Sequence, residues 1–428
     1  MVKHLIWIAA LSVASCGIAN AEDKPNVEFR DGDRIAFVGN EFFEREADQG
    51  YIETELTTRF PDKNLTFRNL GYSGDTVRAD ARNLCSGWAT FGPADQGFDR
   101  LKDLIQHVKP TLVFVAYGMN ESFEGPKGVE PFVQGLGRML DMLAASSAPD
   151  VRFVLVSPIR HEDLGRPLPD PTEHNKNITL YLDAMEKVAH DRRCAFINLF
   201  TTLGDGTRDA FHTPFTFDGI HLTAYGYWRT AMAMERAMGY GPRGWSVETD
   251  AKLRTDPKTH GAKALSIEWG TGNMLSLSCK VASAILPIPP APEDSPKVLR
   301  EGAVLPDQRR TFGVTGLSPD KTYVLTVDGQ AIDATGKQWA AGLQMGEPPD
   351  LDQEREVRML IVAKNFDFFN FWRPDNDTYI FGYRKHEQGR NAVEIPRFEP
   401  LVEAKEARIA VFRVPFAHTY MLTGEKLK

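Results

Sequence analysis

The chain has 428 residues, of which 42% are hydrophobic and 25% charged, and its formal net charge is −8 at pH 7. This is the composition of an ordinary globular protein with a sizeable core, and the length suffices for two or three domains. The negative charge argues against a protein that binds nucleic acids in general and against one that binds anionic membrane surfaces. Beyond the N-terminal segment, no apolar run reaches the roughly 18 residues of an integral membrane span.

The first 21 residues have the pattern of an export signal. Lys3 precedes an apolar stretch, and Ala19-Asn20-Ala21 forms a small-residue cleavage site before Glu22. The sequence that ends at Cys16 also resembles a bacterial lipoprotein box, which would make this cysteine a lipid anchor. We therefore predict a signal peptide over 1–21 and an exported protein, periplasmic or extracellular, with lipidation at Cys16 as the alternative.

From Arg34 onward the chain alternates between apolar strands and amphipathic helices. Apolar runs predict five strands, at 34–39, 65–70, 111–116, 151–156 and 194–199. Apolar residues at helical spacing predict helices between them, among them 129–143 and 174–190, and a closing helix over 223–238. This alternation is typical of a parallel sheet covered on both faces. We predict an α/β domain over 30–245 with a flavodoxin-like, doubly wound, five-stranded sheet whose core closes within itself.

Beyond about residue 240 the alternation stops, and the pattern predicts a small β module over 260–345. Strand-like segments lie at 265–269 and 274–277. The segment 322–332 predicts a hairpin that turns at Asp328-Gly329, since Asp-Gly suits the tight turn of a two-residue hairpin.

A C-terminal tail over 350–415 follows the β module. A charged amphipathic helix is predicted from Leu351, and it leads into five aromatic residues: Phe366, Phe368, Phe369, Phe371 and Trp372. Such a cluster favours packing over sugar binding. We therefore predict a helical, aromatic tail that packs on the other domains.

Loops at the carboxyl ends of the predicted strands carry the polar residues that suit catalysis. Asp218 and His221 stand three residues apart, where a carboxylate can accept a hydrogen bond from one imidazole nitrogen and leave the other as a base. Gly74, in the turn after the second strand, can present its backbone N–H. Asn120, after the third strand, can donate its side-chain amide. Two such donors and an imidazole form the electrophilic half of an acyl-transfer site.

These loops resemble the motifs of the SGNH family of hydrolases, also called GDSL esterases. Asn69–Thr76 is similar to the second block of the family, Tyr117–Glu121 to the third and Asp218–His221 to the last. The resemblance covers roughly 33–240 and implies the SGNH hydrolase fold, the removal of acyl groups from sugars, lipids or small esters, and no metal or other cofactor. The added β module and aromatic tail also resemble an exported branch from planctomycete-type bacteria.

Carried onto this sequence, the resemblance implies that Gly74 and Asn120 are the oxyanion donors and that His221 and Asp218 are the base and the acid. The first block departs from the family pattern, because Asn40-Glu41 stands where Asp-Ser is expected. Glu41 therefore takes the position of the serine nucleophile. Carboxylate attack on an ester would form a hydrolysable mixed anhydride, and the longer side chain can reach into the oxyanion hole itself.

Three functions are compatible with this departure. In the first, the protein is an ester hydrolase in which His221 activates water and Glu41 positions it, or in which Ser73 or Ser122 is the nucleophile. In the second, it is an inactive pseudoenzyme in which Glu41 pairs with protonated His221 and fills the hole, while the cleft binds carbohydrate. In the third, the β module and tail serve as a scaffold. We predict the hydrolase, with an acylated carbohydrate or a small ester as its substrate.

No metal site is predicted. His161-Glu162-Asp163 and His174 bring possible ligands together, but without the tight spacing of a metal site, and we expect a solvated lid there. After cleavage of the signal peptide, Cys85, Cys194 and Cys279 remain, and their spacing matches neither a zinc motif nor a disulfide framework.

Overall fold

The computed structural model describes residues 27–83, 95–271, 274–300, 305–387 and 391–424. The predicted signal peptide, the candidate lipidation site Cys16 and the cysteine at 85 lie outside these ranges. Within the described ranges, no helix combines the length and the apolar character needed to cross a bilayer.

The N-terminal half forms a parallel sheet with helices on both faces. Its strands are β1 (Arg34–Gly39), β2 (Thr66–Gly71), β3 (Leu112–Ala116), β4 (Arg152–Val156) and β5 (Ala195–Ile197). Its helices are α1 (Glu41–Gln49), α2 (Tyr51–Arg59), α3 (Gln96–Val108), α4 (Val129–Ser146), α5 (Thr172–Arg192), α6 (Leu199–Thr202) and α7 (Ala224–Ala237). The strand order is β2-β1-β3-β4-β5, and every pairing is parallel. This is the flavodoxin-like order, so the predicted fold class is confirmed.

The central strand, β3, explains why the strands of this half are continuous apolar segments in the sequence. All five residues of β3 are buried, because helices cover both faces of the sheet. The carboxyl ends of the parallel strands meet at one edge. The loops that carry the candidate site residues therefore come together there.

The C-terminal half forms two further sheets. Its strands are β6 (Trp245–Asp250), β7 (Lys258–His260), β8 (Ala262–Trp269), β9 (Leu275–Ser283), β10 (Arg310–Thr315), β11 (Thr322–Val327), β12 (Gln330–Thr335), β13 (Leu343–Gln344) and β14 (Ala417–Gly424). Its helices are α8 (Lys297–Arg300), α9 (Gly336–Ala340), α10 (Leu351–Trp372), α11 (Asp377–Ile380) and α12 (Phe398–Phe412).

The two C-terminal sheets share one apolar cluster. One sheet has the order β13-β10-β6-β7, and the other has the order β12-β11-β14-β9-β8. The β11–β12 hairpin turns at Asp328-Gly329, as the sequence predicts. Two strands of these sheets, β6 and β14, lie outside the predicted range 260–345.

The core of the α/β half does not close within residues 30–245. Ile288 and Leu299 join the apolar cluster on one side of the sheet. Phe368, Trp372 and Val402 join the cluster on the other side. The prediction of a self-contained core is wrong, because α1, α2 and β2 pack against α10 rather than facing solvent.

A buried ion pair fixes α10 to the α/β half. The ammonium of Lys364 on α10 pairs with the carboxylate of Glu53 on α2, and both side chains are buried. The same ammonium donates to the carbonyl oxygen of Phe67 at 3.1 Å, and the Asn365 amide donates to Glu53 at 3.1 Å. Because each charge would be left buried without its partner, such a pair ties the two elements together strongly.

Candidate functional site

The predicted acid–base pair is formed. His221 Nδ1 lies 2.6 Å from Asp218 Oδ2, and the backbone N–H of His221 donates to Asp218 Oδ1 at 2.9 Å. Partial burial raises the pKa of Asp218, but the hydrogen bonds from His221 and from the Ile220 N–H outweigh it and hold this pKa below its ordinary value. When Nδ1–H donates to the carboxylate, a neutral imidazole keeps Nε2 free to accept a proton.

The two predicted oxyanion donors converge on one point. Gly74 has a φ of +73°, a conformation that favours glycine, and its N–H donates to Glu41 Oε2 at 3.3 Å. Asn120 Nδ2 donates to the same oxygen at 3.2 Å. The Asn120 amide is oriented by a second hydrogen bond, at 3.0 Å, to the carbonyl oxygen of Asp75. The donor geometry of an oxyanion hole is therefore present, and a carboxylate oxygen occupies it.

Glu41 reaches this position because it is the first residue of α1. Asn40 caps the helix by accepting a hydrogen bond from the N–H of Phe42 at 3.2 Å. The Glu41 side chain is only 7% exposed. The expected ion pair with His221 is not formed among the described residues, since His221 pairs with Asp218 and the Glu41 carboxylate is held by the two oxyanion donors. The Glu41 carboxylate thus reaches both predicted oxyanion donors, whose catalytic role stays a prediction.

A small cavity, of about 20 Å³, opens beside these groups. Glu41 and His221 both line it, and apolar side chains form much of its wall: Phe42, Met119, Val156, Ile159, Ile220 and Leu222. Arg45, one turn beyond Glu41 on α1, stands at the same cavity. A small, mainly apolar pocket beside an imidazole and two donors suits a short acyl group.

Glu121 ties together the two loops that carry the oxyanion donors. One of its oxygens accepts from the Val77 N–H and the other from the Gly118 N–H, both at 2.8 Å. Burial raises the pKa of Glu121 to about 7, although these hydrogen bonds oppose the shift. The side chain thus sets the distance between the loop after β2 and the loop after β3.

Glu162 holds the loop that carries Asp218 and His221. Its carboxylate accepts from the backbone N–H groups of Gly206, Phe215 and Thr216 at 2.7, 3.2 and 2.8 Å, and from the Thr216 hydroxyl at 2.6 Å. It is 2% exposed, so the prediction of a solvated lid is wrong at this residue. Within the described ranges, no group of His, Cys, Asp and Glu side chains is arranged to hold a metal ion.

A buried guanidinium supports the loop after β2. Arg82 Nε donates to Asp75 Oδ2 at 2.6 Å, and the Tyr117 hydroxyl donates to the same oxygen at 2.9 Å. Arg82 Nη2 also donates to the carbonyl oxygen of Leu70 at 2.8 Å. Since Asp75 follows Gly74, this network fixes the turn that presents the first oxyanion donor.

Neither alternative serine is poised as a nucleophile. Ser122 is fully buried, donates to the Met119 carbonyl oxygen at 2.7 Å and lies 2.8 Å from His174 Nε2. His174 in turn contacts His161 Nδ1 to Nδ1 at 2.8 Å, which forms a chain separate from His221. Burial, with a smaller contribution from His161, lowers the pKa of His174 to about 4. Ser73 makes no hydrogen bond with His221 in the described part of the chain.

The sequence brings the five predicted site residues to one edge but gives little sign of the residues that brace them. Arg82, Glu121 and Glu162 are charged residues in loops, a pattern that usually indicates exposure. One signal was available. Glu121 and Glu162 each lie one or two residues from a candidate site residue or motif, where a buried carboxylate can collect loop N–H groups.

Comparisons with known proteins give one matching family and several similar structures. The sequence profile of the GDSL-like lipase/acylhydrolase family matches residues 32–229. A gut microbial diltiazem-metabolizing enzyme is similar in structure, with a TM-score of 0.70, 17% identity and coverage of 93% of this chain and 98% of the other. This similarity extends the shared fold to the C-terminal half.

Two further structures align with about half of the chain. An acetylxylan esterase from Geobacillus stearothermophilus, in a catalytic mutant, gives a TM-score of 0.38 at 15% identity and covers 50% of this chain and 97% of its own. A putative GDSL-like lipase from Parabacteroides merdae gives 0.40 at 15% identity, with coverage of 50% and 99%. A comparison with curated protein sequences gives no match.

Proposed function

We propose that the chain, whose residues 32–229 match the GDSL-like lipase/acylhydrolase family, is an ester hydrolase that works without a serine nucleophile. One observation carries the proposal. His221, which is paired with Asp218, lines the same small cavity as Glu41, and the Glu41 carboxylate accepts hydrogen bonds from the two oxyanion donors, Gly74 and Asn120. This arrangement supports a site in which His221 is the base, Asp218 orients it, and Gly74 and Asn120 are the oxyanion donors.

The reaction uses water in place of the serine hydroxyl. His221 Nε2 removes a proton from the water, and the water oxygen bonds to the carbonyl carbon of the ester. The carbonyl oxygen takes the negative charge and accepts hydrogen bonds from the Gly74 N–H and the Asn120 amide. The bond to the alcohol oxygen then breaks, and His221 returns the proton to that oxygen. The products are a carboxylic acid and an alcohol.

Glu41 must leave the oxyanion donors before an ester can use them. Its two hydrogen bonds, 3.2 and 3.3 Å long, lie at or beyond the long end of the usual range. Arg45 lies one turn after Glu41 on the same helix and makes no ion pair with a carboxylate among the described residues. The Glu41 carboxylate can therefore swing to Arg45 and form an i,i+4 ion pair. An exposed pair of this kind is worth roughly 0.3–0.5 kcal/mol, less than two hydrogen bonds to a carboxylate at about 1.5–3 kcal/mol each. The closed form therefore dominates, and we expect slow turnover.

We propose an acylated carbohydrate as the substrate of an exported protein. The cavity is small enough to select a short acyl group. Beside it, the ring of Phe217 is 55% exposed and lies parallel to the His221 ring at 5.6 Å between centroids. The Arg45 guanidinium also lies over this ring, 5.5 Å from its centroid, so a sugar can contact the exposed part of the ring and the guanidinium together.

The test is turnover of p-nitrophenyl acetate and of acetylated xylan by the full chain. His221→Ala should abolish hydrolysis, and Asn120→Ala should lower kcat by about 10²- to 10³-fold, as the loss of one oxyanion donor does. A fluorophosphonate should not label the wild type, because such probes need an activated serine. If the wild type is no faster than His221→Ala, the hydrolase proposal fails.

One observation favours a second candidate, a non-catalytic carbohydrate-binding module. Glu41 satisfies both oxyanion donors, as the acid product of an ester would. In this function the cleft binds a sugar while the hole stays closed. Binding of acetylated oligosaccharides with no release of acetate would support the module and exclude the hydrolase.

A further inference from the structure

A second cavity, of about 520 Å³, lies in the C-terminal half. It is bounded by residues of both C-terminal sheets and by the start of α10. Neither the acid–base pair nor the oxyanion donors line it. Its inner wall contains Arg310, the first residue of β10, with Trp245 and Tyr420.

Arg310 is a buried cation without an acidic partner in the described part of the chain. It is 6% exposed, and its only side-chain hydrogen bond runs from Nη2 to the Gly346 carbonyl oxygen at 3.0 Å. Nε and Nη1 are buried and make no hydrogen bond. Buried arginines are normally paired, as Arg243 is with Glu235 and Glu55. Two N–H positions of Arg310 thus remain for an anionic group.

Two further donors come from strands on either side. Trp245 is the direct register partner of Arg310 in the parallel pair of β6 and β10. Tyr420, on β14 of the facing sheet, stacks on Phe312 at 5.5 Å and meets the Trp245 ring edge-on at 6.0 Å. Among the described residues, neither the Trp245 indole N–H nor the Tyr420 hydroxyl makes a hydrogen bond. The inner wall therefore offers a guanidinium, an indole and a phenol with unused donors.

The rim of the cavity restricts the charge of the ligand. Asp328, Glu347 and Asp352 line the outer part together with Arg355, which pairs with Asp352, and Asp328 contacts His418. Three carboxylates against one guanidinium leave the lining of this part net negative, which would repel a multiply charged phosphate. Carboxylates at a rim are instead acceptors for hydroxyl groups. A ligand that suits both regions carries one negative charge for Arg310 and several hydroxyls for the rim.

We propose that this cavity binds a uronic acid, a sugar whose single carboxylate pairs with Arg310 and whose hydroxyls donate to the rim carboxylates. The Tyr420 hydroxyl and the Trp245 N–H donate to the remaining oxygens of the same carboxylate or ring. This site lies in the β sheets and does not depend on the ester-hydrolase proposal.

Isothermal titration calorimetry of the full chain with galacturonate and glucuronate tests the proposal. We expect saturable binding of a uronate, and no comparable binding of galactose or glucose. Arg310→Met should weaken binding by about tenfold or more, since a charge-assisted hydrogen bond is lost. Tyr420→Phe, which keeps the packed ring, should weaken it by about threefold to tenfold. Arg138→Met is the matched control, because Arg138 lies outside the lining of this cavity and forms an exposed pair with Asp95 at 2.8 Å; the affinity of this variant should stay within about twofold of the wild type, as for a surface pair.

Thermal unfolding without ligand separates binding from support of the fold. Because Arg310 is buried without a carboxylate, Arg310→Met should unfold at or above the Tm of the wild type, whereas Arg243→Met should lower the Tm. Four results would overturn the proposal: no saturable uronate binding, equal binding of the neutral sugars, binding of sulfate or chloride that uronate does not displace, or an Arg310→Met variant with unchanged affinity. A fall in Tm as large as that of Arg243→Met would assign Arg310 a structural role instead.

Discussion

The position of the Glu41 side chain determines whether the two oxyanion donors are available to a ligand. Its carboxylate takes both oxyanion donors, while the acid–base pair a short distance away is intact. The sequence predicts that Glu41 can reach the donors, because a glutamate side chain at the serine position is longer than serine and can extend into the oxyanion hole. It could not predict that the carboxylate would avoid His221, since the direction of the side chain depends on where Gly74 and Asn120 place their N–H groups.

Glu41→Ser should turn the site into a serine hydrolase site. The change removes the carboxylate from the donors and places a hydroxyl at the start of α1, where the family carries its nucleophile. We expect faster hydrolysis of p-nitrophenyl acetate than the wild type shows, and covalent labelling by a fluorophosphonate. Glu41→Ala is the control, since it opens the hole without supplying a nucleophile and should stay unlabelled. A folded Glu41→Ser variant that is not labelled would show that His221 cannot activate a group at this position.

At the scale of elements, the site is a set of three loops held at fixed distances by buried carboxylates. Glu121 joins the loops after β2 and β3, and Glu162 holds the segment that ends in Asp218 and His221. Strand positions follow from apolar periodicity, and for this reason all five strands of the first sheet are predicted within about two residues at each end. The sequence does not predict the buried carboxylates, because the loops that bury them are distant from them in sequence.

Glu162→Gln should damage the site through its loop. The amide nitrogen would face N–H donors, so about two of the four hydrogen bonds are lost, at a cost of roughly 2–4 kcal/mol in the free energy of unfolding. Chemical denaturation measures this loss, and fluorophosphonate labelling in the Glu41→Ser background should slow in parallel. Glu173→Gln, on an exposed face of α5, is the control and should change neither quantity. Equal stability of both variants would mean that Glu162 does not brace the loop.

At the scale of the whole molecule, the C-terminal half completes the α/β core. Removing residues beyond 245 takes away α10 and leaves Glu53 without Lys364. It also removes Pro289, whose carbonyl oxygen accepts from the Trp228 indole at 2.8 Å, and the Asp294 carboxylate that caps α7. The tail and the linker are thus structural parts of the first half.

A fragment of residues 27–245 should therefore unfold at a temperature lower by about 10 °C or more than the intact chain, since a few kcal/mol shift the Tm of a domain of this size by that amount. It should also bind a hydrophobic dye, because the surface under α10 is exposed. Differential scanning calorimetry compares the two proteins. A fragment as stable as the full chain would contradict the shared core.

The α2–α10 contact should also make stability depend on pH. Burial and, to a smaller extent, the neighbouring Glu55 raise the pKa of Glu354 on α10 to about 8. Neither oxygen of Glu354 has a hydrogen-bond partner in the described part of the chain. Between about pH 4.5 and 8 the folded state keeps a proton that the unfolded chain releases, so stability falls as pH rises through this window.

Glu354→Gln should remove the contribution of Glu354 to this dependence, whereas Glu55 and Glu121, whose pKa values burial raises to about 8 and about 7, keep theirs. At pH 8 to 9 we expect the variant to be more stable than the wild type by roughly 2–4 kcal/mol, and the difference should shrink toward pH 5. Thermal unfolding across this pH range measures it. Glu356→Gln on the same helix is the control, because Glu356 pairs with Arg408 nearer the surface. If both variants show the same pH profile, Glu354 does not hold the proton.

The position of β14 has a consequence for the order in which the molecule can be assembled during translation. This strand lies in the middle of its sheet, between β11 and β9, yet the ribosome makes it after both of them. Until it emerges, the β11–β12 and β8–β9 hairpins each present an open edge with unpaired backbone groups. The two hairpins therefore stay without their shared central strand for the time taken to synthesise about 90 residues. Premature termination before residue 417 would leave both strand edges free to pair with another chain.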